Sequence, residues 1–156
     1  LKIEDKAVVG SAETVNGSIT VGAEAEVQKG VDAVNGSLTL RQGAKVAGGL
    51  ENVNGSMLVE GARVEGGIET VNGDIRLATG SHVTGGIHVE EHKSSWWKGK
   101  NSRNPRITIE QGVTVEGPLH FERAVDLYVA PGVNLPPVAG VQPQRFTLQQ
   151  AKGYRG

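Results

Sequence analysis

The sequence contains no cysteine, and aromatic residues make up only 4% of its 156 residues. The absence of cysteine excludes disulfides, thiolate catalysis and cysteine-based zinc sites, and it does not indicate a redox compartment. With so few aromatic rings, we expect a core built from Val, Ile, Leu and Ala. No apolar run approaches the roughly 18 residues that cross a bilayer, so the sequence predicts no transmembrane segment.

Neither sign of charge is in excess, because 17 acids and 16 bases leave a formal net charge of −1. The protein lacks the positive field that draws proteins to nucleic acids or anionic membranes, so we predict no nucleic-acid partner.

Glycine, in contrast, is abundant at 23 residues, but it follows no Gly-X-Y period and proline numbers only 6, which excludes collagen. We expect these glycines at recurring turns of a single domain.

The most prominent feature of the sequence is an internal repeat. The tripeptide Val-Asn-Gly occurs at 15–17, 34–36, 53–55 and 71–73, at intervals of 19, 19 and 18 residues. After each tripeptide come alternating apolar residues, a Gly-containing bend, a second apolar pair and a third short strand that follows a Gly-Gly corner. Alternation is the period of β-strands, and no window shows the apolar stripe of a helix. Three strands and three corners therefore form one coil.

This repeat predicts an all-β fold, namely a single-stranded parallel β-helix (β-solenoid) with about six roughly triangular coils of about 19 residues. Equivalent residues of successive coils then stack about 4.8 Å apart. Three columns are expected to point inward: Ile19/Leu38/Met57/Ile75, Val27/Val46/Val64/Val83 and Val31/Leu50/Ile68/Ile87. Because Asn-Gly tolerates left-handed backbone, a fourth column is expected to stack at a corner: Asn16, Asn35, Asn54 and Asn72.

The register extends beyond the four obvious coils. Val8 is expected in the same inward column as Val27, because each lies seven residues before the valine of a Val-Asn-Gly tripeptide. Two further coils are predicted downstream from apolar pairs spaced eight residues apart, Ile107/Val115 and Leu127/Leu135. The solenoid is therefore predicted to span residues 1–135, with an insertion at about 90–104.

Residues 136–156 are predicted to form a C-terminal tail or cap without coil register. Pro136 and Pro137 are expected to stop strand pairing, and Phe146 and Leu148 are expected to pack over the last coil. The alternative is a disordered tail or an expression remnant. At the other end, the chain begins at Leu1 without methionine, which indicates that a signal peptide or part of the expressed sequence was removed.

The insertion differs in composition from the repeats. It reads EEHKSSWWKGKNSRNP, and it contains the only two tryptophans, Trp96 and Trp97. Between residues 93 and 106 there are five bases and no acid: Lys93, Lys98, Lys100, Arg103 and Arg106. Tryptophans beside basic residues are suited to stacking on sugar rings, to a lipid interface or to a protein contact, so we predict a binding surface here. Alternatively, both tryptophans fold back and close a flank of the solenoid.

Two outward columns carry charge. An acidic column is predicted from Glu13, Asp32, Glu51 and Glu69, and it continues as His88 and His120; a basic column contains Lys45, Arg63 and His82. Glu69, His88 and His120 are expected to approach one another, and these ligand types suit zinc or another transition metal. The alternative is a solvated surface ladder that binds no metal.

Catalytic signatures are lacking. There is no Ser-His-acid order, no His-Glu-x-x-His motif, no strict hexapeptide pattern and no Asp-rich calcium-binding nonapeptide. The acids also do not cluster with a base as they do in the groove of pectate-lyase-type solenoids. We therefore predict a protein that is not an enzyme and requires no cofactor.

The segments VNGSI, VNGSL and VNGDI, together with the GA-x-V-x-GG bends, resemble the bactofilin-like, polymer-forming β-solenoids of bacteria and related adhesin-like repeat proteins. The resemblance covers Val8 to about Leu135. It implies a scaffold for assembly or envelope attachment, with self-association or an envelope protein or glycan as partner, in the periplasm or outside the cell; the cytoplasm is the alternative compartment. A second functional hypothesis is a surface module whose basic tryptophan insertion binds glycan or an anionic envelope polymer.

Overall fold

The computed structural model describes residues 2–90, 105–133 and 135–147. Every regular element among them is a β-strand, and every strand pairing is parallel. The chain winds into a β-solenoid of about seven turns, each about 19 residues long, so the predicted fold class is confirmed. The described residues form one turn more than the six expected.

Three sheets form the sides of the coil. Sheet A contains eight strands: β1 (Lys2–Ile3), β4 (Ile19–Val21), β7 (Leu38–Leu40), β10 (Met57–Glu60), β13 (Ile75–Ala78), β16 (Arg106–Ile109), β19 (Asp126–Val129) and β21 (Gln144–Thr147). Sheet B contains six: β2 (Val8–Val9), β5 (Glu26–Val27), β8 (Lys45–Val46), β11 (Arg63–Val64), β14 (His82–Val83) and β17 (Thr114–Val115). Sheet C contains seven: β3 (Ala12–Asn16), β6 (Val31–Asn35), β9 (Leu50–Asn54), β12 (Ile68–Asn72), β15 (Ile87–Val89), β18 (Leu119–Phe121) and β20 (Val138–Gly140).

The interior is filled by the columns predicted to point inward. Met57 pairs with Leu38 and Ile75, Val64 with Val46 and Val83, and Ile68 with Leu50 and Ile87. All of these side chains are buried. The core is aliphatic as expected, with Phe121 as a buried aromatic side chain stacked in register on Val89. Burial of apolar side chains along the whole stack is the main favourable term for the fold.

The placement of Val8 in the Val27 column is wrong by one residue. Val9 pairs with Val27, whereas Val8 pairs with Glu26 and is 59% exposed. The cause is the length of the next corner, which has two residues between Val9 and Ala12 but three between Val27 and Val31. A corner can lose one residue without altering the alternation within the strands, so the pattern of apolar residues alone did not reveal the shift.

The asparagine column is confirmed as a hydrogen-bonded ladder. Nδ2 of Asn35 donates to Oδ1 of Asn16 at 3.2 Å, and Asn54 and Asn72 extend the chain at 3.1 and 3.3 Å. At the end of the ladder, Nη1 of Arg123 donates to Oδ1 of Asn72 at 2.6 Å and to the Val71 carbonyl at 3.2 Å. The arginine reaches the ladder across the turn that carries the insertion. Its guanidinium thus donates to Oδ1 of Asn72, the acceptor to which a further asparagine of the ladder would have donated.

One interval between the tripeptides is 18 residues instead of 19 because a corner is shortened. Glu60 pairs with Ala78 and Arg63 with His82, so the corner after β10 has one residue fewer than the corner after β13. The buried hydroxyl of Ser81 compensates for the irregularity. It accepts from Gly61 N at 3.1 Å, and it lies 2.8 Å from the Val59 carbonyl and 2.7 Å from the Ala78 carbonyl, to either of which its proton is donated.

Replacement of this hydroxyl tests its role. We expect Ser81→Ala to lower the free energy of unfolding by about 1 to 2 kcal/mol, because the Gly61 amide and a carbonyl lose their buried partner. Chemical denaturation of the wild-type protein and the variant measures the difference. Ser56→Ala is the control, since Ser56 is exposed. Equal destabilisation by the two substitutions would show that the Ser81 hydrogen bonds are unimportant.

The solenoid register also continues past the predicted boundary at residue 135. Val138 pairs with Leu119, and Phe146 pairs with Tyr128. Pro136 and Pro137 lie in the corner before β20, where no ladder amide is required, so they do not interrupt the stack. The Phe146 ring stacks on the Tyr128 ring at 4.6 Å on the outer face of sheet A instead of covering the end of the core. Leu148 lies outside the described residues.

Candidate functional site on the outer face of sheet C

The acidic column predicted from the sequence lies on the outer face of sheet C. Its members occupy the second residue of successive strands and pair in register: Glu13, Asp32, Glu51, Glu69, His88 and His120. Parallel pairing places each of these side chains about 4.8 Å from the next. The column therefore presents four carboxylates followed by two imidazoles on one surface.

Crowding of like charges changes the protonation of this column. A hydrogen bond with Glu69, partial burial and the negative charges of Asp32, Glu69 and Glu90 raise the pKa of Glu51 to about 7. All of these effects disfavour the ionised form of a carboxyl group. Near neutral pH, Glu51 therefore holds a proton part of the time, and its hydroxyl donates to the Glu69 carboxylate.

His88 is held between two carboxylates from neighbouring turns. Its Nδ1 lies 3.2 Å from Oε2 of Glu69, and its Nε2 lies 2.9 Å from Oε2 of Glu122. Burial by itself disfavours the charged imidazole, but the hydrogen bonds and charges of Glu122 and Glu69 outweigh it and raise the pKa of His88. The exposed ring of His120 stacks on His88, with 4.7 Å between ring centroids and 7° between planes.

The structure partly separates the three predicted metal ligands. Glu69 and His120 each neighbour His88, but they lie on opposite sides of it in the column. Among the residues that the structure describes, two ligand groups are present instead, both containing His88. In the first, ligand atoms of His88, His120 and Glu122 lie within 4.8 Å of one another; in the second, those of Glu69, His88 and Glu90 do.

Sequence reasoning missed Glu90 and Glu122, although a signal was present. The pattern His-x-Glu occurs at 88–90 and again at 120–122, and alternate residues of a strand project from the same face. Since β15 pairs with β18 in register, the two patterns place two histidines and two glutamates on adjoining positions. The two glutamates are identified as possible ligands when the column of His88 and His120 is read together with the outward column of Glu90 and Glu122.

An open groove runs beside these side chains. It has a volume of about 400 Å³, and it is lined by paired glycines such as Gly66 and Gly67 together with Glu51, Glu69, His88 and His120. Glycine is required at this corner because successive backbones approach closely. The groove gives solvent and small ions access to the imidazoles.

The remaining predicted site residues lie elsewhere. Lys45, Arg63 and His82 form a column on sheet B as expected, where Glu65 lies 3.7 Å from Lys45 and 3.5 Å from Arg63. Nε2 of His82 lies 2.6 Å from the Glu116 carboxylate. These contacts are internal to the surface of sheet B and form no cluster with the histidines of sheet C.

The predicted binding loop falls almost entirely outside the described residues. Its members there are Lys93, Trp96, Trp97, Lys98, Lys100 and Arg103. Arg106, in contrast, belongs to β16, and its guanidinium lies 5.4 Å from the centre of the Tyr128 ring. The structure thus places Arg106 in the solenoid itself, on the face of sheet A.

Both shifted groups predict a stability that declines from acid towards neutral pH. With its pKa raised, Glu51 binds more proton in the folded than in the unfolded state between pH 4.5 and about 7, so the free energy of unfolding falls as pH rises through that interval. Protonated His88 likewise contributes stability below pH 6.5 that is lost as pH rises through its raised pKa. Solvent screens both effects, because Glu51 is exposed and His88 is only partly buried.

We therefore expect the melting temperature to be a few degrees higher at pH 5.5 than at pH 8, as measured by circular dichroism. Glu51→Gln should reduce the difference, because the amide keeps the hydrogen bond and carries no charge. Glu60→Gln, on the outer face of sheet A, should leave the difference unchanged. If Glu51→Gln shows the same pH dependence as the wild-type protein, the carboxylate column does not control it.

Comparison of the chain with family models, with curated proteins and with solved structures returned no match. A search of the described residues also found no helix long and apolar enough to cross a membrane.

Proposed function

We propose that this chain is a non-enzymatic structural or assembly β-solenoid of the bacterial cell envelope. The observation that carries the proposal is the position of its chemically distinctive side chains. They stand in outward columns repeated from turn to turn over an interior filled with aliphatic side chains. Such a surface suits an extended contact better than the conversion of a small substrate. The repeat resemblance to polymer-forming solenoids supports the same function.

The outer face of sheet C is the surface that fits such a contact. Beside its acidic column runs a column of exposed valines, with exposed fractions of 63% at Val15, 39% at Val34 and 37% at Val53. A stripe of aliphatic side chains next to a stripe of carboxylates matches a partner that alternates apolar and basic groups. Residues 93–103 of the chain combine two tryptophans with four bases and no acid, which favours a second copy as the partner.

Sedimentation velocity and co-sedimentation with an isolated bacterial envelope fraction test the proposal. We expect the wild-type protein to form concentration-dependent oligomers or to bind the envelope, and we expect salt to weaken the contact. A column variant, Glu13→Gln/Asp32→Asn/Glu51→Gln, should lose it. The control Glu4→Gln/Glu24→Gln/Glu60→Gln changes the net charge equally at other outward positions and should behave as wild type.

The outcomes separate the alternatives. A protein that stays monomeric at every concentration and does not bind the envelope fraction would contradict the proposal. If binding persists in the column variant but disappears in Trp96→Ala/Trp97→Ala, the contact belongs to the insertion, and the surface-module hypothesis replaces it. If both variants bind as wild type, neither surface mediates the contact.

A further inference from the structure

Five side chains that can bind a metal ion lie close together on three successive turns of sheet C. Glu69 belongs to β12, His88 and Glu90 to the turn of β15, and His120 and Glu122 to the turn of β18. The cluster combines imidazoles with carboxylates, which is the donor set of zinc and related ions. It is therefore chemically distinct from the purely acidic part of the column.

The hydrogen bonds of His88 already resemble those of a metal-binding histidine. In metal sites one ring nitrogen binds the ion, while the other donates to a carboxylate that fixes the ring orientation. Nδ1 of His88 has Glu69 at 3.2 Å, and Nε2 faces Glu122 at 2.9 Å. Glu69 thus occupies the orienting position, and Nε2 points towards the group formed with His120 and Glu122.

We propose that Nε2 of His88, a ring nitrogen of His120 and the carboxylate of Glu122 bind Zn²⁺ or a similar divalent transition-metal ion. Bonds of about 2.0 to 2.2 Å require ligand atoms roughly 3.3 Å apart. Nε2 of His88 and Oε2 of Glu122 are already 2.9 Å apart, so the adjustment falls on the ring nitrogen of His120, which lies within 4.8 Å of the other ligand atoms. The stacked rings are parallel, and parallel rings cannot both direct a lone pair at one ion. His120 is exposed, and its ring turns to direct a lone pair at the ion.

The choice between the two ligand groups follows from the donors. His88, His120 and Glu122 supply two imidazoles and one carboxylate, which zinc-type ions prefer, whereas Glu69, His88 and Glu90 supply a single imidazole. Calcium and magnesium favour all-oxygen shells and are expected to compete poorly. When the ion binds to the first group, the Glu69 carboxylate can still accept the hydrogen bond from Nδ1–H of His88.

Metal binding at this position would join the turns on either side of the insertion. His88 lies in β15, which ends at Val89 shortly before the predicted insertion, and His120 lies in the next strand of sheet C, paired with it in register. An ion held by both strands stabilises the pairing where a long segment of chain intervenes. This inference does not depend on the proposed structural function.

Titration of the full chain with Zn²⁺, by calorimetry and by competition with a chromophoric chelator, tests the site. We expect one equivalent to bind, and Co²⁺ to give the absorption of a four-coordinate site. His120→Ala and Glu122→Gln should weaken Zn²⁺ binding at least about tenfold, and Glu69→Gln by about tenfold through the orientation of His88. His82→Ala is the control, because it removes a histidine of sheet B outside the site and should bind as wild type.

Circular dichroism should show that the variants remain folded, as expected for outward side chains. Zinc-induced shifts of the His88 and His120 imidazole nitrogens in the wild-type protein provide a readout that needs no substitution. The proposal is overturned if these resonances do not respond, or if His88→Ala and His120→Ala bind zinc as tightly as wild type. It is also overturned if Glu90→Gln abolishes binding while His120→Ala does not, because the other ligand group would then hold the ion.

Discussion

Val46→Asp is expected to prevent folding or to lower the free energy of unfolding by at least about 4 kcal/mol. The Val46 side chain is fully buried between Val27 and Val64 in the inward column of sheet B. A carboxylate there has neither water nor a cation, and its neighbours are aliphatic. Circular dichroism and chemical denaturation should show loss of the β-spectrum or an early transition.

Thr39→Asp is the matched control, because it introduces the same charge at an outward, partly exposed position of β7. We expect it to cost no more than about 1 kcal/mol. Equal stability of the two variants would contradict the inward register of β8.

The second large effect is expected at the Gly-Gly corner. In successive turns the backbone of Gly48, Gly66 and Gly85 stacks so closely that a Cβ at Gly66 would lie 2.5 Å from the carbonyl carbon of Gly48 and 2.8 Å from the Gly49 amide nitrogen. Backbone atoms cannot move aside as a flexible side chain does. We expect Gly66→Ala to lower the free energy of unfolding by about 3 kcal/mol, measured by chemical denaturation.

Gly10→Ala is its control. The same methyl group there has no neighbour within 4 Å, and the residue does not have left-handed backbone. This substitution should be neutral or slightly stabilising, since it reduces the conformational entropy of the unfolded chain. If Gly66→Ala were equally harmless, successive corners would have to lie further apart than the structure shows.

The inward columns and the asparagine ladder were predictable from the sequence because stacking in register converts one sequence interval into one spatial neighbour. Leu38, Met57 and Ile75 need only recur at the coil period to lie above one another. The same rule assigns Glu69, His88 and His120 to one column from their spacing alone, and the strand pairing agrees. Glu90 and Glu122 follow from the same register, but only when the second outward column is read with the first.

Corner geometry, in contrast, was decided only by the tertiary structure. The two-residue corner that moves Val9 into the Val27 column leaves the strand alternation unchanged. Nor does the sequence show that the Ser81 hydroxyl accepts a hydrogen bond from the Gly61 amide of the previous turn, because that contact arises from a corner shortened by one residue. Prolines 136 and 137 were expected to end the solenoid, yet they fall in a corner where no ladder amide is required.

The sequence by itself thus determined the fold class, the coil period and which side chains share a column, since these depend only on repetition and alternation. The tertiary structure decided which atoms within a column meet. It placed Nδ1 of His88 at Glu69 and Nε2 at Glu122, and it brought Arg123 to the end of the asparagine ladder across the intervening turn. Such contacts depend on side-chain rotamers and corner lengths, which a repeat pattern leaves undetermined.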